Sequence, residues 1–143
     1  MNNLIKTAKT DTRILIILLW LFYSLNFMYA DTLSSLEPGV LAQEMSGYVA
    51  DGTVKITSGF LLGTAMMFEI PFLMIVLSWV LKYRANRWAN IIAASLFIVV
   101  QIGSLFLGKP SPAYIFYSAV EVAGLLLLVW TAWKWRNAEV QSR

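Results

Sequence analysis

Histidine and cysteine are both missing from the 143 residues. Their absence excludes His/Cys zinc sites, bis-histidine haem, thiol nucleophiles, disulfide chemistry and imidazole acid–base catalysis. Charge is scarce as well. Asp, Glu, Lys and Arg make up 13% of the chain, against about 25% in a soluble domain. That shortage excludes a soluble globular domain and a nucleic-acid binder. The matching excess, 59% hydrophobic residues, excludes a disordered chain. A membrane protein remains.

A bilayer core about 30 Å thick needs roughly 20 apolar residues per crossing helix. Four runs meet that need, at about 14–30, 56–81, 88–107 and 113–133. None shows a one-sided apolar stripe, so each is a helix surrounded by lipid or by other helices. The expected fold is all-α, an integral membrane four-helix bundle that forms one four-span domain over residues 1–143. Pro71 lies inside the second run and is expected to kink it near Met67. Asn86 is placed to cap the third helix. Gly108-Lys109-Pro110-Ser111-Pro112 is placed to stop that helix and start the fourth. Trp20, Trp79, Trp88, Trp130, Trp133 and Trp135 fall mostly near run ends, with Tyr29, Tyr83 and Tyr114, as in an aromatic belt. In the outer loop, 31–55, Val40 to Met45 reads as a short helix. Its Val40, Leu41 and Met45, with Tyr48, would rest on the membrane surface. A connector is the expected role of this loop, in preference to a lid.

Charge alternates from segment to segment. Lys6, Lys9 and Arg13 outweigh Asp11 before the first run. The outer loop carries Asp31, Glu37, Glu44 and Asp51 against Lys55. Lys82, Arg84 and Arg87 follow the second run with no acid among them. Only Lys109 follows the third, and Lys134, Arg136 and Arg143 face Glu139 at the end. The positive-inside rule then places both termini in the cytoplasm. Lys6, Lys9 and Arg13 with Met28-Tyr29-Ala30 also resemble a signal peptide. Met28 is large for the cleavage position and the run is long, so an uncleaved span is expected.

Four strongly polar residues stand out, one in each run: Asn26, Glu69, Gln101 and Glu121. Ionisable groups inside a span cost on the order of 2.5–3.5 kcal/mol, so they usually face protein or water and mark function. At helical spacing around Glu121 lie Tyr114, Tyr117, Ser118 and Gly124. Asn90, Ala94, Ser104 and Gly108 surround Gln101. The neighbours of Glu69 are apolar. The expectation is a bundle with its polar faces turned inward and a partly hydrated pocket opening outward. Its candidate binding residues are Glu69, Glu121, Gln101, Asn26, Tyr117 and Tyr114. For Asn26 and Gln101, hydrogen bonding between helices is the simpler role. A carboxyl in an apolar bundle is expected to be neutral, since desolvation disfavours its charged form. No Lys or Arg lies within a span to pair with it. Gly59 and Gly63 form a GxxxG match that permits close helix approach. Met66, Met67 and Met74 read as gap-filling packing and not as a copper site. No metal or cofactor is expected.

Two stretches carry a resemblance. One runs Glu69-Ile70-Pro71 through Leu77-Ser78 to Asn86-Arg87-Trp88-Ala89-Asn90-Ile91. The other runs from Tyr114 through Val120-Glu121 to Trp130-Thr131-Ala132-Trp133-Lys134-Trp135. They resemble a family of small bacterial four-span membrane proteins known as a domain of unknown function. The resemblance implies the four-helix architecture and the inner membrane, and it brings no activity or site residue.

Three functions fit these features, in this order. The first is binding or transport of a cation, a proton or a small amphipathic molecule through the intramembrane glutamates. It shares four helices and a membrane glutamate with small multidrug transporters, by fold-level analogy alone. The second is a structural or accessory subunit that packs against a membrane partner protein or against its own copies. The third is an intramembrane enzyme acting on a lipid, with the two carboxyls as acid and base. The partners expected are the lipid bilayer and a small cationic or amphipathic ligand, and no nucleic acid.

Overall fold

The computed structural model describes residues 2–107 and 109–135, with side chains from Thr12 onward. Gly108, the side chains of Lys6, Lys9 and Asp11, and the tail charges Arg136, Glu139 and Arg143 lie outside the described residues.

Four helices are long and apolar enough to cross a membrane. They are α1 (Asn2–Ser35), α3 (Ser58–Val80), α4 (Tyr83–Ser104) and α5 (Pro112–Lys134). Between α1 and α3 lie a short helix, α2 (Val40–Met45), and a hairpin of β1 (Tyr48–Val49) and β2 (Val54–Lys55). The short helix occupies the residues expected of it and buries none of them. The hairpin was not expected. Its turn runs through the left-handed region at Ala50, Asp51 and Gly52, conformations that Asp and Gly tolerate best. Asp51 Oδ2 accepts the Lys109 N–H at 3.1 Å, which ties the α1–α3 and α4–α5 connections together.

α1 lies at the centre of the packing. It rests against both α3 and α5, and α4 rests against α5. α3 meets α4 far less and is the least buried of the four. Ile16, Trp20 and Tyr23 of α1 are fully buried with Ala94, Phe97, Leu125 and Leu128. The rings of Trp20, Tyr23 and Phe97 meet edge to face, with centroids 5.5–6.2 Å apart, the arrangement favoured by their quadrupoles. Trp20 is therefore a core residue and not part of the belt. It shares with Ile16 and Tyr23 the face of α1 that packs inward. Trp79, Trp88, Trp130 and Trp133 are exposed, as a belt requires.

The helix ends show why the chain breaks where it does. Thr57 and Ser111 cap α3 and α5, accepting the N–H groups of Phe60 and Tyr114 at 3.1 Å. Pro112 opens α5, where its missing N–H costs nothing. The third long helix departs from expectation. It begins at Tyr83, after an extended Lys82 that makes no side-chain cap. Asn86 is thus inside the first turn, its own N–H bonded to Lys82 O at 2.8 Å. Pro71 is buried within a continuous α3.

With only Leu81 and Lys82 between α3 and α4, the last carbonyls of α3 need donors from elsewhere. Arg13 supplies two, to Trp79 O at 2.8 Å and Leu81 O at 3.1 Å. Arg87 does the same for α5, donating to Trp133 O at 2.9 Å. Tyr83 donates to Trp135 O at 2.5 Å. The basic residues of this end thus sit on the negative ends of two helix dipoles.

Candidate functional site

Among the described residues, two polar clusters and a cleft stand out within the bundle. The first cluster is at the basic end. Asn90 Oδ1 accepts from Trp20 Nε1 at 2.6 Å and from Ser78 Oγ at 3.1 Å. Its amide nitrogen donates to Asn86 O at 2.8 Å and Asn86 Oδ1 at 2.6 Å. Asn86 in turn donates to Ser78 O at 2.6 Å. All four residues are fully buried. Three helices are bound here through saturated partners, so the cluster is structural. In sequence, Asn86 is placed as a helix cap, and Asn90 stands near Gln101 and within the Asn86-to-Ile91 stretch. The recurrence of Asn at i and i+4 was the available signal.

The second cluster lies along the α4–α5 seam. Gln101 Nε2 donates to Ser118 Oγ at 2.9 Å. Ser104 Oγ donates to Gln101 O at 2.7 Å, and Tyr114 Oη to Ser104 Oγ at 2.7 Å. Glu121 follows Ser118 by one turn of α5 and is fully buried. Neither of its carboxyl oxygens has a hydrogen-bond partner. Tyr23 of α1 lies near enough to interact with it electrostatically, without a hydrogen bond. One turn further on, α1 and α5 pack closely. A Cβ on Gly124 would sit 3.2 Å from Phe22 Cε1.

The structure thus brings together Gln101, Tyr114 and Glu121 from the expected set. None of the other three is hydrogen-bonded to this cluster. Asn26 donates to Phe22 O at 2.9 Å, a bond within its own helix. Tyr117 is half-buried, its ring edge-on to Phe116. Glu69 is exposed on the outside of the bundle. The expectation that all polar faces turn inward is corrected at Glu69. α3 packs through Pro71, Met74 and Ser78, and Glu69 sits on the far side of the helix from them. Glu121 lies in the core and Glu69 on the outer surface of α3.

The cleft lies between α1 and α3 and encloses about 320 Å³. Ser24, Phe27, Met28, Asp31 and Thr32 line it from α1, with Phe68, Pro71 and Phe72 from α3. Both sets follow the i, i+3, i+4 spacing of one helix face. Phe27 meets Phe68 edge to face at 4.7 Å and stacks on Tyr23 at 5.7 Å. Ser24 Oγ and Thr32 Oγ1 are engaged with Trp20 O and Met28 O at 2.8 Å. The carboxylate of Asp31 is the charged group on the wall, at the exposed end. Glu44 lies near enough to act on it electrostatically. In sequence, Asp31 counted only as a loop charge. α1 continues to Ser35, and that continuation places Asp31 on the same face as Ser24 and Phe27.

The chain belongs to a family of unknown function, DUF6326, whose profile matches residues 5–142. No curated protein and no solved structure matches it.

Proposed function

We propose that this chain is a four-span protein of the bacterial inner membrane, both termini cytoplasmic, that binds a small amphipathic cation in the α1–α3 cleft. One observation carries the reading: a cavity of about 320 Å³, walled by three phenylalanines and a methionine, with one carboxylate at its open end. That volume falls in the range of small-molecule sites, about 300–1,000 Å³. Aromatic faces attract a cation by about 2 kcal/mol where water is excluded. Asp31, with Glu44 beside it, supplies the opposite charge.

The charge distribution supports the sidedness. Arg13, Lys82, Arg84, Arg87 and Lys134 gather where α1 and α4 enter and α3 and α5 end, which is the cytoplasmic side by the positive-inside rule. Asp31, Glu37, Glu44 and Asp51 gather at the other end, so the cleft opens outward. Glu121 favours a second reading, a proton site. A fully buried carboxyl with two unpartnered oxygens is an acid held ready for a proton or a cation.

The test uses the full chain in lipid nanodiscs with benzyltrimethylammonium, followed by equilibrium dialysis. Saturable binding is expected, weakened about tenfold by Asp31→Asn, equivalent to about 1.4 kcal/mol. Glu37→Gln, an outer acid away from the cleft, should leave it unchanged. Equal binding by wild type and Asp31→Asn, or an equal loss in Glu37→Gln, overturns the cleft as the site. Proton uptake by vesicles that is the same in wild type and Glu121→Gln overturns the second reading.

A further inference from the structure

One face of α3 has no partner in the bundle. Gly59, Leu62, Met66, Glu69, Leu73 and Val76 are all exposed. Their spacing is 3, 4, 3, 4, 3, and Val80 adds the next step of 4. This is the a/d seam of a left-handed coiled coil. It runs the length of the helix on the side opposite Pro71, Met74 and Ser78. The large side chains on it are among the most open of the chain: Leu62 62%, Met66 60%, Val76 60% and Val80 68% exposed. At the outer end Gly59 and Gly63 stand open. A Cβ at Gly63 would meet nothing within 4 Å, and one at Gly59 only Thr57 Oγ1 of the cap.

Glu69 occupies the middle of this seam, eleven residues from either end of α3. By a rise of about 1.5 Å per residue it is about 16 Å from each end of the helix. Hydrocarbon offers a carboxyl no hydrogen bond, and an ionisable group at that depth faces protein or water. The faces of this bundle offer it neither.

We propose that α3 packs against α3 of a second copy, parallel and about a two-fold axis along the helices, with Glu69 against Glu69 at its centre. Three features select a second copy as the occupant. The 3–4 spacing of the seam meshes with a helix of the same spacing, and a parallel pair also needs the same direction across the membrane. A second copy has both. Two carboxyls that meet can share a proton in a hydrogen bond, so Glu69 can pair with its own equivalent. The glycines at the outer end allow the two backbones to approach. The proposal does not rest on the cleft, which faces α1.

The absence of cysteine makes the test direct. Gly59→Cys and Val80→Cys place single thiols at the two ends of the seam. Leu61→Cys and Trp79→Cys place them at similar depths on exposed positions off it. In full-length protein in vesicles, mild oxidation should yield disulfide-linked dimers from Gly59→Cys and Val80→Cys, at least tenfold more than from the controls. Mass photometry of wild type in nanodiscs should give two copies. Glu69→Gln, whose amide also donates and accepts, should stay dimeric, while Glu69→Leu should lower the dimer fraction several-fold at equal protein-to-lipid ratio. Equal cross-linking on and off the seam, a monomeric wild type, cross-links only to a different membrane protein, or an unchanged dimer in Glu69→Leu each overturns the proposal.

Discussion

The indole of Trp20 donates to the side-chain carbonyl of Asn90 at 2.6 Å, both residues fully buried, and this bond ties α1 to α4. The same oxygen takes Ser78 of α3. One amide thus holds three helices where no water reaches.

Replacing Asn90 with Leu leaves Trp20 Nε1, Ser78 Oγ and Asn86 Oδ1 without that partner. Each buried group left unsatisfied costs about 1–3 kcal/mol. Asn90→Leu should therefore lower the midpoint of detergent-induced unfolding more than Trp20→Phe, which removes one donor and leaves the serine bond. The reverse order would show that the cluster does not hold the fold.

At Glu121 the expected sign is opposite. An unpartnered buried carboxyl gives up no hydrogen bond when it is replaced by a side chain of similar volume. Glu121→Met should match or exceed wild type in the same unfolding measurement. A loss above about 1 kcal/mol would show that the carboxyl stabilises the bundle. If Glu121→Met is stable yet loses proton uptake, its role is functional.

Gly124 sets the distance between α1 and α5. A methyl there meets Phe22 at 3.2 Å, and Phe22 is 42% exposed, so its ring has room to turn. Gly124→Ala should cost about 1 kcal/mol, at the low end of overpacking effects. Gly124→Leu should cost clearly more, and Phe22→Ala in the same chain should recover part of the loss. Additive losses in the double variant would mean that this contact does not set the spacing.

Arg13 should control the last turn of α3. The Leu81 N–H bonds Leu77 O at 2.9 Å, and Arg13 holds the carbonyls of Trp79 and Leu81. Arg13→Ala should speed amide exchange at Leu81 several-fold and leave the first turn of α3 unchanged. Unchanged exchange at Leu81 would reduce Arg13 to an orientation signal.

The number of spanning helices, the short helix Val40–Met45 and the Ser111–Pro112 start of α5 were legible in the sequence. Hydropathy, capping residues and proline act through local chemistry, and local chemistry is written along the chain. The start of α4 was not legible. The polar run from Lys82 to Arg87 looks like a loop, yet Arg87 and Asn86 find partners on α5 and α3 that no local pattern displays. The same holds for Asp31, which reads as a loop charge until α1 continues past it.

Glu69 and Glu121 mark the boundary between the two kinds of information. Each is one acid in an apolar run, and by composition and depth they are nearly alike. The sequence determined that both lie within long apolar helices, because the summed hydropathy of a segment is written along the chain. Only the tertiary structure decided that Glu121 points into the core and Glu69 away from it. The direction a helical side chain faces follows from which neighbours pack against the helix. α5 is gripped by α1 and α4, while α3 is held chiefly by α1.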